Sequence, residues 1–203
     1  MARNAWVILF CGVLIWSGWQ PKDQLTWLLE VFPALLGALI MLLTYRRFPL
    51  TSLLYTLILV HCIILMVGGH YTYAEVPLFD TIKEWMGSAR NNYDKVGHFA
   101  QGFVPAILAR EILIRMHVVN GRRWLFVIVI SICLAFSAFY ELIEWWVALL
   151  SDEAAESFLG TQGYVWDTQS DMAYALVGAI VSQLLLARRH DKQIQRLELT
   201  SSY

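Results

Sequence analysis

Six ionisable residues fall in pairs inside or beside strongly apolar stretches: Asp94 with His98, Glu141 with Glu144, and Asp167 with Asp171. The members of each pair are three or four positions apart, which turns both to one face of a helix. Ionisable groups in apolar spans are costly, so they mark a site before they mark filler. Four or more carboxylates in a low dielectric repel one another unless some stay protonated or a cation neutralises them. Carboxylates with an imidazole suit zinc, manganese or iron, and carboxylates alone suit magnesium or calcium. The expected ligands of a divalent metal ion (zinc, manganese or magnesium) are therefore Asp94, His98, Glu141, Asp167 and Asp171. Lys95, next to Asp94, is the alternative source of positive charge. A metal here would polarise a phosphoryl or acyl oxygen, or activate a water. Glu144 or His70 is the expected general base. No Ser-His-Asp or cysteine nucleophile pattern stands out.

A second group is expected at the same surface. Gly68-Gly69-His70-Tyr71-Thr72-Tyr73-Ala74-Glu75-Val76-Pro77 closes an apolar run, and two glycines there allow a sharp turn or a close backbone approach. With His70 it presents Tyr73 and Glu75, which together with Lys95, Trp145 and Trp166 are the expected substrate contacts. Each residue also has a plainer role. Asp94 and Asp167 stand where helix N-caps would, and Glu75 suits a solvated loop. His61, in the middle of a span, reads as an interhelical contact, and Glu111 as the partner of Arg115 four residues on.

The elements that position these groups are membrane helices. Of 203 residues 58% are hydrophobic and 15% charged, where a soluble domain carries about a quarter charged. The net charge of −1 offers no field for nucleic acid. Cys11, Cys62 and Cys133 fall in apolar runs with no metal-ribbon spacing, and read as small packing residues. Apolar stretches at 4–20, 27–45, 49–68, 97–116, 124–149 and 169–187 predict six spans in one all-α transmembrane domain, followed by a solvated tail over 188–203. The first, without an Ala-x-Ala site after it, reads as a retained span. With the N-terminus in the cytoplasm, eleven basic residues fall on the cytoplasmic side, and Lys22, Lys83, Arg90 and Lys95 on the other. This positive-inside pattern places both termini in the cytoplasm of a bacterial inner membrane, with Arg110 snorkelling to that surface. The outer loop 69–96 contains an amphipathic stretch, Pro77 to Met86, suited to an interface. The outer loop 150–168 carries Asp152, Glu153 and Glu156.

Depth ties the pairs together. Glu141 lies 18 residues from Arg123, Asp171 17 before Arg188, and His98 17 before Arg115. At about 1.5 Å per residue these separations are about 26–27 Å, against a hydrocarbon core about 30 Å thick. Three helices thus bring their ionisable residues to one level, just inside the outer face.

Four segments also carry a resemblance: the 70–77 segment, Asp94-Lys95-Val96-Gly97-His98-Phe99, Glu141-Leu142-Ile143-Glu144-Trp145, and Gly160 through Met172. In these the chain resembles the bacterial inner-membrane YjdF family over nearly its whole length. More distantly it is similar to VanZ-like membrane proteins, with their Asp-Lys-x-x-His box, a Glu ending a span and an Asp opening the last one. It departs from them in Glu144-Trp145, where they usually carry Gln, and in lacking their Arg before the final Asp. The resemblance implies the membrane architecture and, through the VanZ-like proteins, a cell-envelope role. Three classes of function follow: a hydrolase or transferase acting on a lipid-linked or envelope substrate at the outer face; an ion- or proton-coupled transporter or cation-binding protein; and a structural or assembly factor. A transporter needs a polar path to the cytoplasm, and only His61, Glu111 and Gln183 lie below the cluster.

Overall fold

The structure, a computed structural model, describes residues 3–150 and 161–201; Asp152, Glu153 and Glu156 lie outside the described residues. Those residues form seven helices and no strand: α1 (Arg3–Gly18), α2 (Gln24–Thr44), α3 (Ser52–His70), α4 (Pro77–Met86), α5 (Tyr93–Arg115), α6 (Arg122–Leu150) and α7 (Asp167–Ser201). Local chemistry sets several of the ends. Asp23 accepts from the backbone N–H of Thr26 at 2.6 Å and caps α2, and Thr51 accepts from that of Leu54 at 3.4 Å and caps α3. Gly87 ends α4 in the left-handed conformation.

Helices α2, α3, α6 and α7 are long and apolar enough to cross a membrane, and α1 is a shorter apolar helix. Their outward faces are greasy, with Leu42, Leu43, Trp124, Leu184 and Leu185 among the exposed residues. Helix α5 falls outside that set because it carries Asp94, Lys95, Arg110, Glu111 and Arg115, and its polar residues are covered by protein instead. It packs on α3, α6 and α7, while α3 also holds α1 and α2. One apolar core joins the first three helices through Phe10, Val31, Ala34, Leu59, Cys62 and Met66. A second joins α5, α6 and α7 through Ala106, Leu125, Val129, Cys133 and Ala179.

The closest crossing is between α5 and α7. A β-carbon at Gly102 would overlap the Ala175 carbonyl, and one at Gly178 would overlap the Phe99 carbonyl. Backbone therefore meets backbone there, as small residues permit in membrane helices. Because α5 and α7 run so close, whatever side chains they carry at their ends are forced into contact.

Two expectations are corrected. The polar tail beyond Arg188 is not a solvated appendage: α7 continues to Ser201, and His190 and Ile194 are buried. Gln193 Oε1 accepts from the Leu53 N–H at 2.9 Å and from the Ser52 hydroxyl at 3.2 Å, which occupies α3's free amino end. Arg110 does not snorkel to a surface. It is buried, donating to His190 Nδ1 at 3.1 Å and to Asp191 at 2.5 Å. The tail's polarity had a partner in α5 that no local pattern in the tail reveals. Glu111 does bond Arg115 at 2.9 Å, as its spacing predicts, and the 77–86 stretch is a helix with no buried residue.

Candidate functional site

At the end of the bundle where α3 stops and α5 and α7 begin, Asp94, Lys95, His98, Glu141, Glu144, Asp167 and Asp171 are all buried together. Neither aspartate acts as the plain cap its position allowed. Asn92 precedes α5, and Asp94 lies in the first turn with its carboxylate turned along the helix. Asp94 Oδ1 is 3.1 Å from His98 Nε2, one turn on, and Oδ2 is 2.9 Å from Arg90, one turn back. Lys95 Nζ reaches Asp167 Oδ1 at 2.5 Å, Asp171 Oδ1 at 2.6 Å and Asp94 Oδ2 at 3.2 Å. Arg90 closes the ring on Asp167 at 2.6 Å and donates to the Thr161 carbonyl at 2.9 Å. Burial works against the Arg90 charge, but Asp167 and Asp94 more than offset it and its pKa is raised. Three aspartates thus share two permanent cations, which also stand over the Tyr164 ring at 5.7 and 5.9 Å.

Asn91 holds this arrangement in place. Its backbone N–H donates to Gln162 Oε1 at 3.0 Å, and Gln162 returns a bond to its carbonyl at 2.9 Å. The buried Asn91 side chain donates to the Val76 carbonyl at 3.1 Å and to Asp80 at 2.9 Å. The segments before α4, α5 and α7 are tied together around the charges.

Behind the aspartates the character changes. The His98 ring divides the cluster: Nε2 faces Asp94 and, at 3.8 Å, Asp171, whereas Nδ1 faces Gln101 Oε1 at 3.0 Å and Glu141 Oε1 at 3.8 Å. Ligand atoms of His98, Glu141 and Glu144 lie within 4.8 Å of one another, as do those of Asp94, His98 and Asp171. Glu30, from α2, joins the glutamate side; Tyr140 of α6 donates to its Oε2 at 3.3 Å. Neither a lysine nor an arginine pairs with Glu30, Glu141 or Glu144 among the described residues. Glu141 Oε1 is buried without a hydrogen-bond partner among the described residues. Six buried carboxyl groups (Asp94, Asp167, Asp171, Glu30, Glu141, Glu144) stand against Arg90 and Lys95. A buried anionic oxygen without a partner costs several kcal/mol, so the glutamate side is built for a proton or a cation. Its oxygens and one imidazole nitrogen fit a divalent metal of the zinc–manganese type.

Other expected site residues lie apart from this centre. His70 stacks on Trp16 at 4.7 Å between ring centres, and its Nδ1 bonds the Ser17 carbonyl at 2.9 Å, on the α1 side of the bundle. Glu75 is half exposed and paired with Lys22. Trp145 and Trp166 are exposed. Nε2 of His61 has no hydrogen-bond partner among the described residues, in place of the interhelical contact its depth suggests. Tyr73, by contrast, points inward and is buried. Arg90, Glu30, Tyr140 and Gln101 were not anticipated. Glu30 carried the signal used for the others, an acid inside an apolar run, but has no second ionisable residue one turn away on α2 to make a pair.

Comparison with known proteins agrees with this architecture. Residues 2–192 match the family model described as "Predicted membrane protein (DUF2238)". The chain is 54% identical over 187 residues to the inner membrane protein YjdF of Escherichia coli strain K12, covering 92% of this chain and 90% of that protein. No solved structure matches it. The chain belongs to this family and is a multi-pass inner-membrane protein.

Proposed function

We propose that the buried cluster is a divalent-cation centre close to the periplasmic face, serving hydrolysis or group transfer on a lipid-linked or envelope substrate. In this reading α1, α2, α3, α5, α6 and α7 all cross the membrane with both termini in the cytoplasm, as the basic residues direct. The reading is carried by one observation: among the described residues, Glu30, Glu141 and Glu144 are buried beside His98 with no permanent cation of their own, and one oxygen of Glu141 has no hydrogen bond. The VanZ-like Asp94-Lys95-x-x-His98 box supports an envelope substrate.

The roles divide along the His98 ring. His98, Glu141 and Glu144 hold the ion, with Asp94 and Asp171 on the opposite ring edge. A bound divalent ion would supply Lewis acidity toward a phosphoryl or acyl oxygen, or toward a water. Asp167, Lys95 and Arg90 fix α5 against α7 and position Asp94 and Asp171. Glu144 is thereby a ligand rather than a free general base, and His70, on the α1 side of the bundle, lies apart from the ion.

Elemental analysis tests this directly. Protein purified in mild detergent without chelators should carry stoichiometric metal, and a His98→Ala/Glu144→Gln variant that still folds should carry none. Assays on lipid phosphates and lipid-linked sugars would follow. Equal metal content in both proteins, or none in either, sinks the reading.

One observation favours the transporter reading instead. A second buried ionisable network, Arg110, Glu111, His190 and Asp191, sits at the opposite ends of α5 and α7. If the two networks are stations on one path, proteoliposomes would show proton or cation flux that His98→Ala abolishes.

A further inference from the structure

Tyr73 is held in a way that packing alone does not explain. It and Thr72 are consecutive non-glycine residues in the left-handed region, at φ of 54° and 57°, a strained conformation for residues with a side chain. The strained turn drives the Tyr73 ring into a slot between two helices. A β-carbon at Gly68 of α3 would overlap the ring, and one at Gly97 of α5 would come to 2.8 Å from Cε1. Gly97 immediately precedes His98. The ring is thus delivered to the wall of the cluster, where Glu30, Tyr140 and Asp94 are the ionisable groups acting on it besides Tyr93. Tyr73 is 8% exposed, yet its hydroxyl has no hydrogen-bond partner among the described residues. Burial first, and then the Glu30 charge, raise its pKa well above the usual phenol value, so the oxygen keeps its proton. A protonated donor beside this group of carboxyls, with no partner among the described residues, awaits an acceptor.

We propose that Tyr73 donates its hydroxyl hydrogen to a water bound on the cation held by His98, Glu141 and Glu144, and that Glu30, oriented by Tyr140, is a further carboxylate of that centre. This rests on the cation reading above and extends it by two residues, one from α2 and one from the turn that follows α3. Gly69 fits the same design, because its α-carbon admits the Glu30 β-carbon: a methyl there would meet it at 3.2 Å. The Gly68-Gly69 pair thus gives one residue to each of the two arms.

The test uses manganese(II) as the probe on full-length protein in detergent, with free ion read by electron paramagnetic resonance, and metal-free melting measured in parallel. Tyr73→Phe removes a buried hydroxyl that has no partner, so the metal-free protein should melt no lower than wild type. Its manganese affinity should fall roughly tenfold, the expected loss of one hydrogen bond within a charged centre. Glu30→Gln should weaken binding at least as much. Tyr93→Phe is the control: that hydroxyl donates to the Ile64 carbonyl at 2.9 Å, so its loss should lower melting and leave affinity unchanged. Wild-type affinity in Tyr73→Phe, or melting depressed as far as in Tyr93→Phe, overturns the role of Tyr73 while leaving the cation centre standing. Unchanged affinity in Glu30→Gln removes Glu30 from it. No manganese binding by the wild type removes this proposal and the cation reading together.

Discussion

Changing Glu111 to glutamine should be nearly as damaging as removing the side chain, although the two residues have almost the same shape. Glu111 is fully buried, and every group around it is a donor. The Thr51 N–H reaches Oε1 at 3.0 Å, the Thr51 hydroxyl reaches Oε2 at 2.7 Å, and Arg115 reaches Oε1 at 2.9 Å. His190 Nε2 is 2.8 Å from Oε2. Its tautomer follows from the other side of the ring. Arg110 stands 3.1 Å from Nδ1 and can only donate, so Nδ1 accepts and the proton sits on Nε2, pointing at Glu111. A glutamine would turn N–H groups toward two of these donors and remove the charge that Arg115 answers. An unpaired buried donor costs about 1–3 kcal/mol, and breaking a buried ion pair by deleting one partner about 3–5 kcal/mol. Both Glu111→Gln and Glu111→Ala should therefore lose about 3 kcal/mol or more. Reversible unfolding in mixed detergent micelles, followed by helicity, measures this. A cycle with His190→Ala should show a coupling of about 1–3 kcal/mol, because α7's extension is anchored through that ring. If Glu111→Gln unfolds within about 1 kcal/mol of wild type, the reading of this network as a fully engaged acceptor is wrong.

Two further outcomes follow from the packing and from the aspartate ring. Lys95→Met leaves Asp167 and Asp171 without the ammonium they share and should destabilise the fold by about 3 kcal/mol; an equal or higher unfolding free energy would mean those acids are already neutral. Gly102→Ala forces a methyl into the Ala175 backbone, which cannot swing away, and should cost at least about 1–3 kcal/mol. Gly37→Ala, with no atom within 4 Å of the new carbon, should be neutral or stabilising by about 0.5–1 kcal/mol; equal losses at the two glycines in the same unfolding assay would contradict the α5–α7 crossing.

The aspartate, glutamate and histidine pairs were legible because a helix repeats at about 3.6 residues. Residues three or four apart must share a face, and counting from the basic anchors gave their depth. That arithmetic brought His98, Glu141 and Asp171 to one level, and the structure has them within 3.8 Å of the same imidazole. What sequence spacing does not carry is azimuth between helices. His70 and Tyr73 are three residues apart at the same surface, yet the left-handed turn at Thr72 and Tyr73 sends one toward α1 and the other toward α5. Trp145 neighbours Glu144 in sequence but points outward. The end of α7 was misread for a related reason. Hydropathy stops at Arg188, but a helix persists when tertiary partners exist, and those partners, Arg110 and the open end of α3, are far away in the chain.

The distribution of charge across the His98 ring is itself an argument against a purely structural cluster. If packing alone were at stake, Arg90 and Lys95 would be most useful spread among all six carboxyl groups. Instead both cations lie on the aspartate side, each touching at least two aspartates. The glutamates have only His98 between them and that network. The bundle therefore keeps a neutralised half, which locks α5 to α7, next to a half left short of positive charge. Desolvating that second half costs several kcal/mol for each ionised group, and interhelical polar contacts in membranes return only about 0.6 kcal/mol on average. The shortfall is met by protons held on the glutamates or, in the reading proposed above, by a cation from outside the chain.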